Sequence, residues 1–217
     1  VVQEIHAWRL RPHRLSNYMY NKALAVAARC ADRIVANSDY TALLSGILLE
    51  LPVNQVQHLA LGYDFIEQLT SLGQKPPKCR GQILYVGRLV PDKRVDYVLK
   101  AFALLSAYTV LTIVGDGPER QALEKLAMQL DVADRVIFAG AREPGEVARY
   151  YLSADIFISL APHEAFGIVF LEALAANCKI VCPRTGGQME VLGEFPERVY
   201  TVSATLDEKE IACAVKQ

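Results

Sequence analysis

Four stretches of this sequence carry side chains able to do chemistry. GRLVPDKR (87–94) sets Arg88 and Lys93 just after an apolar run and ahead of a helical pattern. A guanidinium fork and an ammonium at the start of a helix suit an anion; two solvated surface cations are the plainer alternative. GDGPER (115–120) offers Gly115 and Gly117, but Arg120 stands where a dinucleotide fingerprint needs its third glycine. That stretch reads as a tight turn feeding a helix opened by Pro118, with Glu119 in its first turn. PRTGGQMEV (183–191) places Gly186 and Gly187 for close backbone approach to a ligand, or for a turn before the helix carrying Glu190.

APHEAFGIVFLEALAANC (161–178) says most. Glu164 lies just before a helix, and Phe166, Gly167 and Ile168 supply backbone N–H groups at its start. Glu172 is the only charged residue between Ala165 and Asn177, and a lone carboxylate in so apolar a helix is costly without a partner. Eight helical residues separate the two glutamates by roughly 12 Å. Glycosidase carboxyl pairs stand about 5 Å apart, or about 6.5–9.5 Å in inverting enzymes, so the spacing fits them poorly. It suits two carboxylates gripping hydroxyls at opposite ends of one elongated ligand, with anionic groups held between them. A nucleotide diphosphate sugar has that layout.

These stretches need a scaffold that brings them to one edge. QILYVG (82–87), TVLTIVG (109–115), RVIFAG (135–140), DIFISL (155–160), KIVCP (179–183) and RVYTV (198–202) read as buried strands. Val95, Val98, Leu99, Phe102 and Leu105 form one helical face, and further helices are expected at 143–153, 166–176, 188–193 and 206–216. Apolar strands alternating with helices predict an α/β fold: a Rossmann-like, doubly wound parallel sheet with helices on both faces. Every β→α loop then lies at the carboxyl edge, where such sheets bind ligands. Upstream, VVQEIH and RIVANS (33–38) read as strands, 16–30 as an amphipathic helix and 39–49 as another helix. The expected division is 1–65 as the trailing part of a preceding domain, 66–80 as a Pro-Pro linker and 81–217 as a complete ligand-binding domain.

Composition narrows the class. The 217 residues include 23 Lys+Arg against 24 Asp+Glu, a net charge of −1, and 52% are hydrophobic. Disorder is excluded by the apolar content, and a general nucleic-acid binder by the absence of a basic excess. Five cysteines show no C-x-x-C or zinc-type spacing, and Cys178 and Cys182 read as buried, inert thiols in a reducing, cytoplasmic setting. No apolar stretch reaches the length of a membrane span. Trp8, Arg9, Arg11, Arg14, Tyr18 and Tyr20 suit either peripheral membrane contact or a solvated helix end.

Taken together, GRLVPDKR, VGDGPER, RVIFAG, HEAFGIVFLE and TGGQMEV, with ADRIVANSDYT and ALGYDF upstream, resemble the family-4 retaining glycosyltransferases of the two-domain GT-B fold. The resemblance covers nearly the whole chain. It implies transfer of a sugar from a nucleotide diphosphate sugar to a hydroxyl of a glycan or lipid-linked acceptor, with retention. A non-catalytic donor-binding half-module and a nucleotide-sugar epimerase of the same fold are the alternatives. It further implies that Arg88 and Lys93 hold the diphosphate, that Glu164 contacts the transferred sugar and that Glu172 contacts the ribose. Phe166, Gly167, Ile168, Gly186 and Gly187 complete the donor site, Arg142 lies against the base, and His6 reaches the sugar from the N-terminal domain. Such enzymes characteristically need no resident metal or cofactor. Leu160-Ala161, Ala165 and Leu61 depart from the family pattern of Pro-Ser, Gly and Asn, which bears on sugar specificity. The family's full N-terminal domain is expected to precede this chain in a longer protein.

Overall fold

The computed structural model describes residues 2–4, 22–23, 25–31, 33–49, 56–58 and 81–217. Residues 66–80 lie outside the described residues, as does His6. The chain divides into two compact units. One takes in Val1–Gly62, His163–Gly167 and Thr185–Val191; the other takes in Tyr63–Pro162, Ile168–Arg184 and Leu192–Gln217. This grouping differs from a simple cut near residue 65, because two loops of the later sequence associate with the N-terminal residues.

The larger unit is built on a six-stranded sheet. Its strands are β4 (Gln82–Val86), β5 (Val110–Val114), β6 (Val136–Gly140), β7 (Ile156–Ile158), β8 (Lys179–Pro183) and β9 (Val199–Val202). All pairs are parallel, in the order β6-β5-β4-β7-β8-β9. The strand order therefore reverses between β4 and β7, the topological switch point of a doubly wound sheet. The expected α/β class is the one observed.

Helices cover both faces for a residue-level reason. Along β4, Ile83 and Tyr85 point to one side and Leu84 to the other, and all three are buried. The first side meets α2 (Val95–Phe102), α3 (Arg120–Gln129) and α7 (Glu208–Lys216) through Val98, Leu99, Phe102, Leu123 and Ile211. The second meets α4 (Pro144–Ser153) and α5 (Ile168–Ala175). There Phe157 of β7 packs between Tyr151, whose ring is tilted to it, and Phe170, which it meets edge to face, each 5.5 Å away between ring centroids. The predicted apolar face of α2 is buried throughout, Leu105 included. At the far end Asp207 caps α7 by accepting from the Glu210 N–H at 2.9 Å.

Predicted helix starts move by up to two residues, as at 206, where the last helix begins at Glu208. The helix expected from 166 begins at Ile168, because Gly167 sits at φ +82 in the left-handed region and interrupts the helical path. Pro118 and Glu119 form a turn, and α3 begins at Arg120, whose N–H donates to the Gly117 carbonyl at 3.1 Å.

The smaller unit contains a parallel three-stranded sheet, β1 (Val2–Glu4), β2 (Arg33–Ala36) and β3 (Val56–His58), in that order, with α1 (Asp39–Leu49) between β2 and β3. Residues 25–29 are helical, and Ala25, Ala28, Ile34, Val35 and Ala36 are buried. The third strand, VQH, is too short and too polar to stand out in the sequence. A short helix α6 (Met189–Leu192) follows β8. Among the described residues, no helix is long and apolar enough to cross a membrane.

Cysteine exposure follows from this layering. Cys178 and Cys182 are buried, and desolvation pushes the Cys182 thiol up to about 12, while Cys30 and Cys213 are exposed. Iodoacetamide on the folded chain is expected to label Cys30 and Cys213 and to spare Cys178 and Cys182 by peptide mass spectrometry. Labelling of Cys182 at the rate of Cys213 would contradict the fold.

Candidate functional site

The loop after β4 is tied to the loop after β5 by backbone hydrogen bonds. Gly87 N–H donates to Val114 O at 3.0 Å, Leu89 N–H donates to Asp116 O at 2.9 Å, and Glu119 N–H returns to Leu89 O at 3.0 Å. The buried Tyr85 hydroxyl donates to the Arg88 carbonyl at 3.1 Å. This zipper needs small residues opposite it. A Cβ at Gly115 would stand 1.9 Å from Gly87 O, and one at Gly117 would stand 2.4 Å from Leu89 O. Gly115 and Gly117 thus serve the packing of two loops, in keeping with a tight turn rather than a dinucleotide fingerprint. Arg88 is exposed on this anchored backbone. Lys93 closes the 3-10 turn Pro91–Lys93, and Arg94 at φ 53 then redirects the chain into α2.

Arg120 braces the neighbouring loop. It pairs with Asp116 at 3.1 Å and Glu124 at 2.9 Å, and its Nη2 lies 3.5 Å from Phe138 O in the middle of β6. Asp116 in turn accepts from Gly117 N–H at 2.7 Å, and these donors hold its carboxyl below the usual carboxylate range. Arg142, past β6, is exposed and lies 3.8 Å from Glu146, an i,i+4 contact too solvated to restrain it strongly. Glu172 is half-buried on α5, next to the fully buried Ala173.

The segments 163–167 and 185–191 belong to the smaller unit and meet there. Gly187 N–H donates to Glu164 O at 2.8 Å. A Cβ on Gly187 would stand 1.9 Å from Ala165 O, and one on Gly186, at φ +95, 3.0 Å from Glu164 O. Of the predicted donor-site residues, Glu164, Gly186 and Gly187 are therefore brought together. The close approach that Gly187 permits is to the backbone of the preceding loop. Phe166 is half-buried, Gly167 is buried, and Ile168, the first residue of α5, is exposed. The first N–H groups of that helix have no intrahelical acceptor.

The same two segments are gripped by the first turn of α1. Ser38 Oγ lies 2.5 Å from Ala165 O and accepts from Thr41 N–H at 3.0 Å. The Glu190 carboxylate accepts from Asp39 N–H at 3.0 Å and from Tyr40 N–H at 2.7 Å. The Tyr40 hydroxyl lies 3.1 Å from His163 Nδ1, and burial raises the Tyr40 phenol, which stays protonated at neutral pH. Sequence reasoning gave none of Ser38, Tyr40 or Thr41 a role. The available signal was Ser38-x-x-Thr41 ahead of an apolar helix, a capping pattern.

Among the described residues, no group of three His, Cys, Asp or Glu is placed to hold a metal ion. The β→α loops carry the cations Arg88, Lys93 and Arg142 and the carboxylate Glu164. Residues 68–217 match the family model of glycosyl transferases group 1. The chain belongs to the group 1 glycosyl transferases.

As a group 1 glycosyl transferase it has relatives across distant organisms. A GDP-mannose-dependent alpha-mannosyltransferase of Mycobacterium tuberculosis is 30% identical over 202 residues, covering 82% of this chain and 49% of that one. An uncharacterized glycosyltransferase of Methanocaldococcus jannaschii is 38% identical over 112 residues, 51% of this chain and 29% of that one. The chain thus spans about half, or less, of these relatives' length. Among solved structures, Anabaena HepE in complex with UDP and glucose has a TM-score of 0.79 at 21% identity, covering 99% of this chain and 60% of that one. Sucrose-phosphate synthase from Thermosynechococcus elongatus gives 0.76 at 22% identity, over 99% and 57%. These two likenesses establish a shared fold.

The glycine contact makes a direct test. Gly187→Ala is expected to cost about 1–3 kcal/mol, read as a lower urea midpoint, because the Ala165 backbone cannot yield without moving its loop. Gly145→Ala, in the first turn of α4 with nothing within 4 Å of the added Cβ, should stay within about 0.5 kcal/mol. Equal midpoints for the two variants would show that position 187 does not need glycine.

Proposed function

We propose that the chain binds the nucleoside diphosphate sugar donor of a retaining glycosyl transfer to a hydroxyl acceptor. The observation that carries this reading is the anchored loop 87–94, which leaves β4 at the switch point and presents Arg88 on a backbone fixed on two sides. A preorganised cation costs little further ordering when an anion arrives. Two comparisons support the donor class: one relative is named for GDP-mannose, and one solved structure of the same fold holds UDP and glucose. Both involve a nucleoside diphosphate.

In this reading Arg88 and Lys93 hold the diphosphate, and the N–H groups at Phe166, Gly167 and Ile168 meet the sugar phosphate at the start of α5. Glu164 accepts from hydroxyls of the sugar, and Glu172 from those of the ribose. Arg142 lies beside the base, and Gly186 and Gly187 line the sugar side. The acceptor oxygen attacks the anomeric carbon on the face from which the diphosphate departs. The carbon–oxygen bond to phosphate breaks with its electron pair leaving on the diphosphate, and a phosphate oxygen takes the acceptor's proton. The cations offset the charge that develops there, and no resident metal or cofactor is invoked.

His6, together with the glycan or lipid-linked acceptor, belongs to the N-terminal side of the full protein, with any peripheral contact at the cytoplasmic membrane face. Because the chain spans about half of its relatives, donor binding rather than turnover is its proper readout. Transfer is favoured over epimerisation, since the relatives above are named as transferases.

Calorimetry with UDP, GDP and ADP tests the clamp. Arg88→Ala is expected to weaken whichever nucleotide binds by about tenfold to a hundredfold, the loss of charge-assisted hydrogen bonds. Unchanged affinity in that variant would remove Arg88 from the donor site.

A further inference from the structure

The contact between the first turn of α1 and the two loops has a physical reason of its own. An α-helix starts with N–H groups that have no intrahelical acceptor. In α1, Ser38 Oγ takes the N–H of Thr41, and the two oxygens of Glu190, 151 and 150 positions away in sequence, take those of Asp39 and Tyr40. A carboxylate suits this place because the helix start carries partial positive charge and both bonds are charge-assisted. Ser38 at the same time reaches Ala165 O at 2.5 Å, and the Thr41 hydroxyl lies 3.4 Å from that oxygen. The Ala165 carbonyl is thus held by α1 and closely approached by Gly187. Glu164, whose carbonyl receives the Gly187 N–H, is one residue away. All of these groups lie in one compact unit.

We propose that Glu190, with Ser38, is a positioning residue: it latches the first turn of α1 to 163–167 and 185–191 and so fixes the loops that contact the transferred sugar. This rests on the donor-site reading above and adds to it a division of labour. The latch acts on the sugar-side loops that carry Glu164, Gly186 and Gly187, and leaves the nucleotide side around Arg88 and Lys93 alone. Loss of the latch therefore weakens the intact nucleotide sugar, which meets Glu164, Gly186 and Gly187 as well as the Phe166 and Gly167 N–H groups, more than the nucleoside diphosphate, which meets only the latter two. A general loss of stability would weaken both equally.

The test compares the 217-residue chain with Glu190→Gln, Glu190→Asp and Ser38→Ala. Glutamine keeps one acceptor oxygen but turns an NH2 donor toward a backbone N–H, whereas aspartate keeps the charge on a shorter arm. Two readouts are taken. The first is amide hydrogen exchange without ligand. Glu190→Gln should accelerate Asp39 and Tyr40 and also Gly187, which Glu190 does not touch through its side chain; an unchanged Gly187 overturns the latch. The second is calorimetry with UDP, GDP and ADP and their sugar conjugates. Affinity for the conjugate should fall about fivefold to thirtyfold in Glu190→Gln and Ser38→Ala, with partial recovery in Glu190→Asp, and by at least about threefold more than affinity for the nucleoside diphosphate. Parallel loss of both ligands, or loss of neither, overturns the positioning role. If the unaltered chain binds no nucleotide, the donor-site reading itself fails, and the exchange data alone then decide whether the latch exists.

Discussion

Strands β4 to β9 all run the same way, and a parallel strand can be reached only by crossing back over the sheet. Each crossing leaves its β→α loop at the carboxyl ends of the strands. The switch between β4 and β7 then separates crossings that go to opposite faces, so the loops after these two strands diverge. Arg88, Lys93 and Arg142 follow from that constraint, since the strands are largely apolar and buried and the loops are where charge can remain in water; Glu172 stands instead within α5.

A second constraint acts between loops. Backbone approaches backbone at Gly115 against Gly87, Gly117 against Leu89 and Gly187 against Ala165, each too close for a Cβ. Backbone hydrogen bonds accompany each approach, from Gly87 N–H to Val114 O, from Leu89 N–H to Asp116 O and from Gly187 N–H to Glu164 O. The loops are therefore stiff for their length, and Arg88 and Glu164 are carried on backbone that has little freedom left to lose. A ligand that needs several groups at fixed separations gains most from such stiffness.

The strands and helices from residue 81 onward were legible in the sequence because β-branched runs and helical spacing are local signals; β8 matches residue for residue and most others to within two. The departures are physical. A left-handed Gly167 delays α5, a Gly117 turn delays α3, and β3 (Val56–His58) has too few apolar residues to announce a strand. Arg88, Lys93 and Glu164 stood out by charge beside apolar runs. Ser38 and Glu190 did not, since neither is unusual locally and 152 positions separate them. The glycines were visible while their reason was not: whether close approach serves a ligand or another loop depends on which loops the topology makes neighbours.

The proposed donor site, in which the loops at the carboxyl edge of the six-stranded sheet receive a nucleoside diphosphate sugar, can be read directly in solution. Backbone amide chemical-shift mapping of the 217-residue chain during titration with UDP-, GDP- and ADP-sugars is the measurement. One of these donors is expected to shift the amides of 87–94, Phe166 to Ile168 and Gly186-Gly187 together, saturating with a single affinity, and to leave α7 and β9 undisturbed. Saturable shifts confined to α7 or β9, or no shifts with any of the three donors, would contradict it.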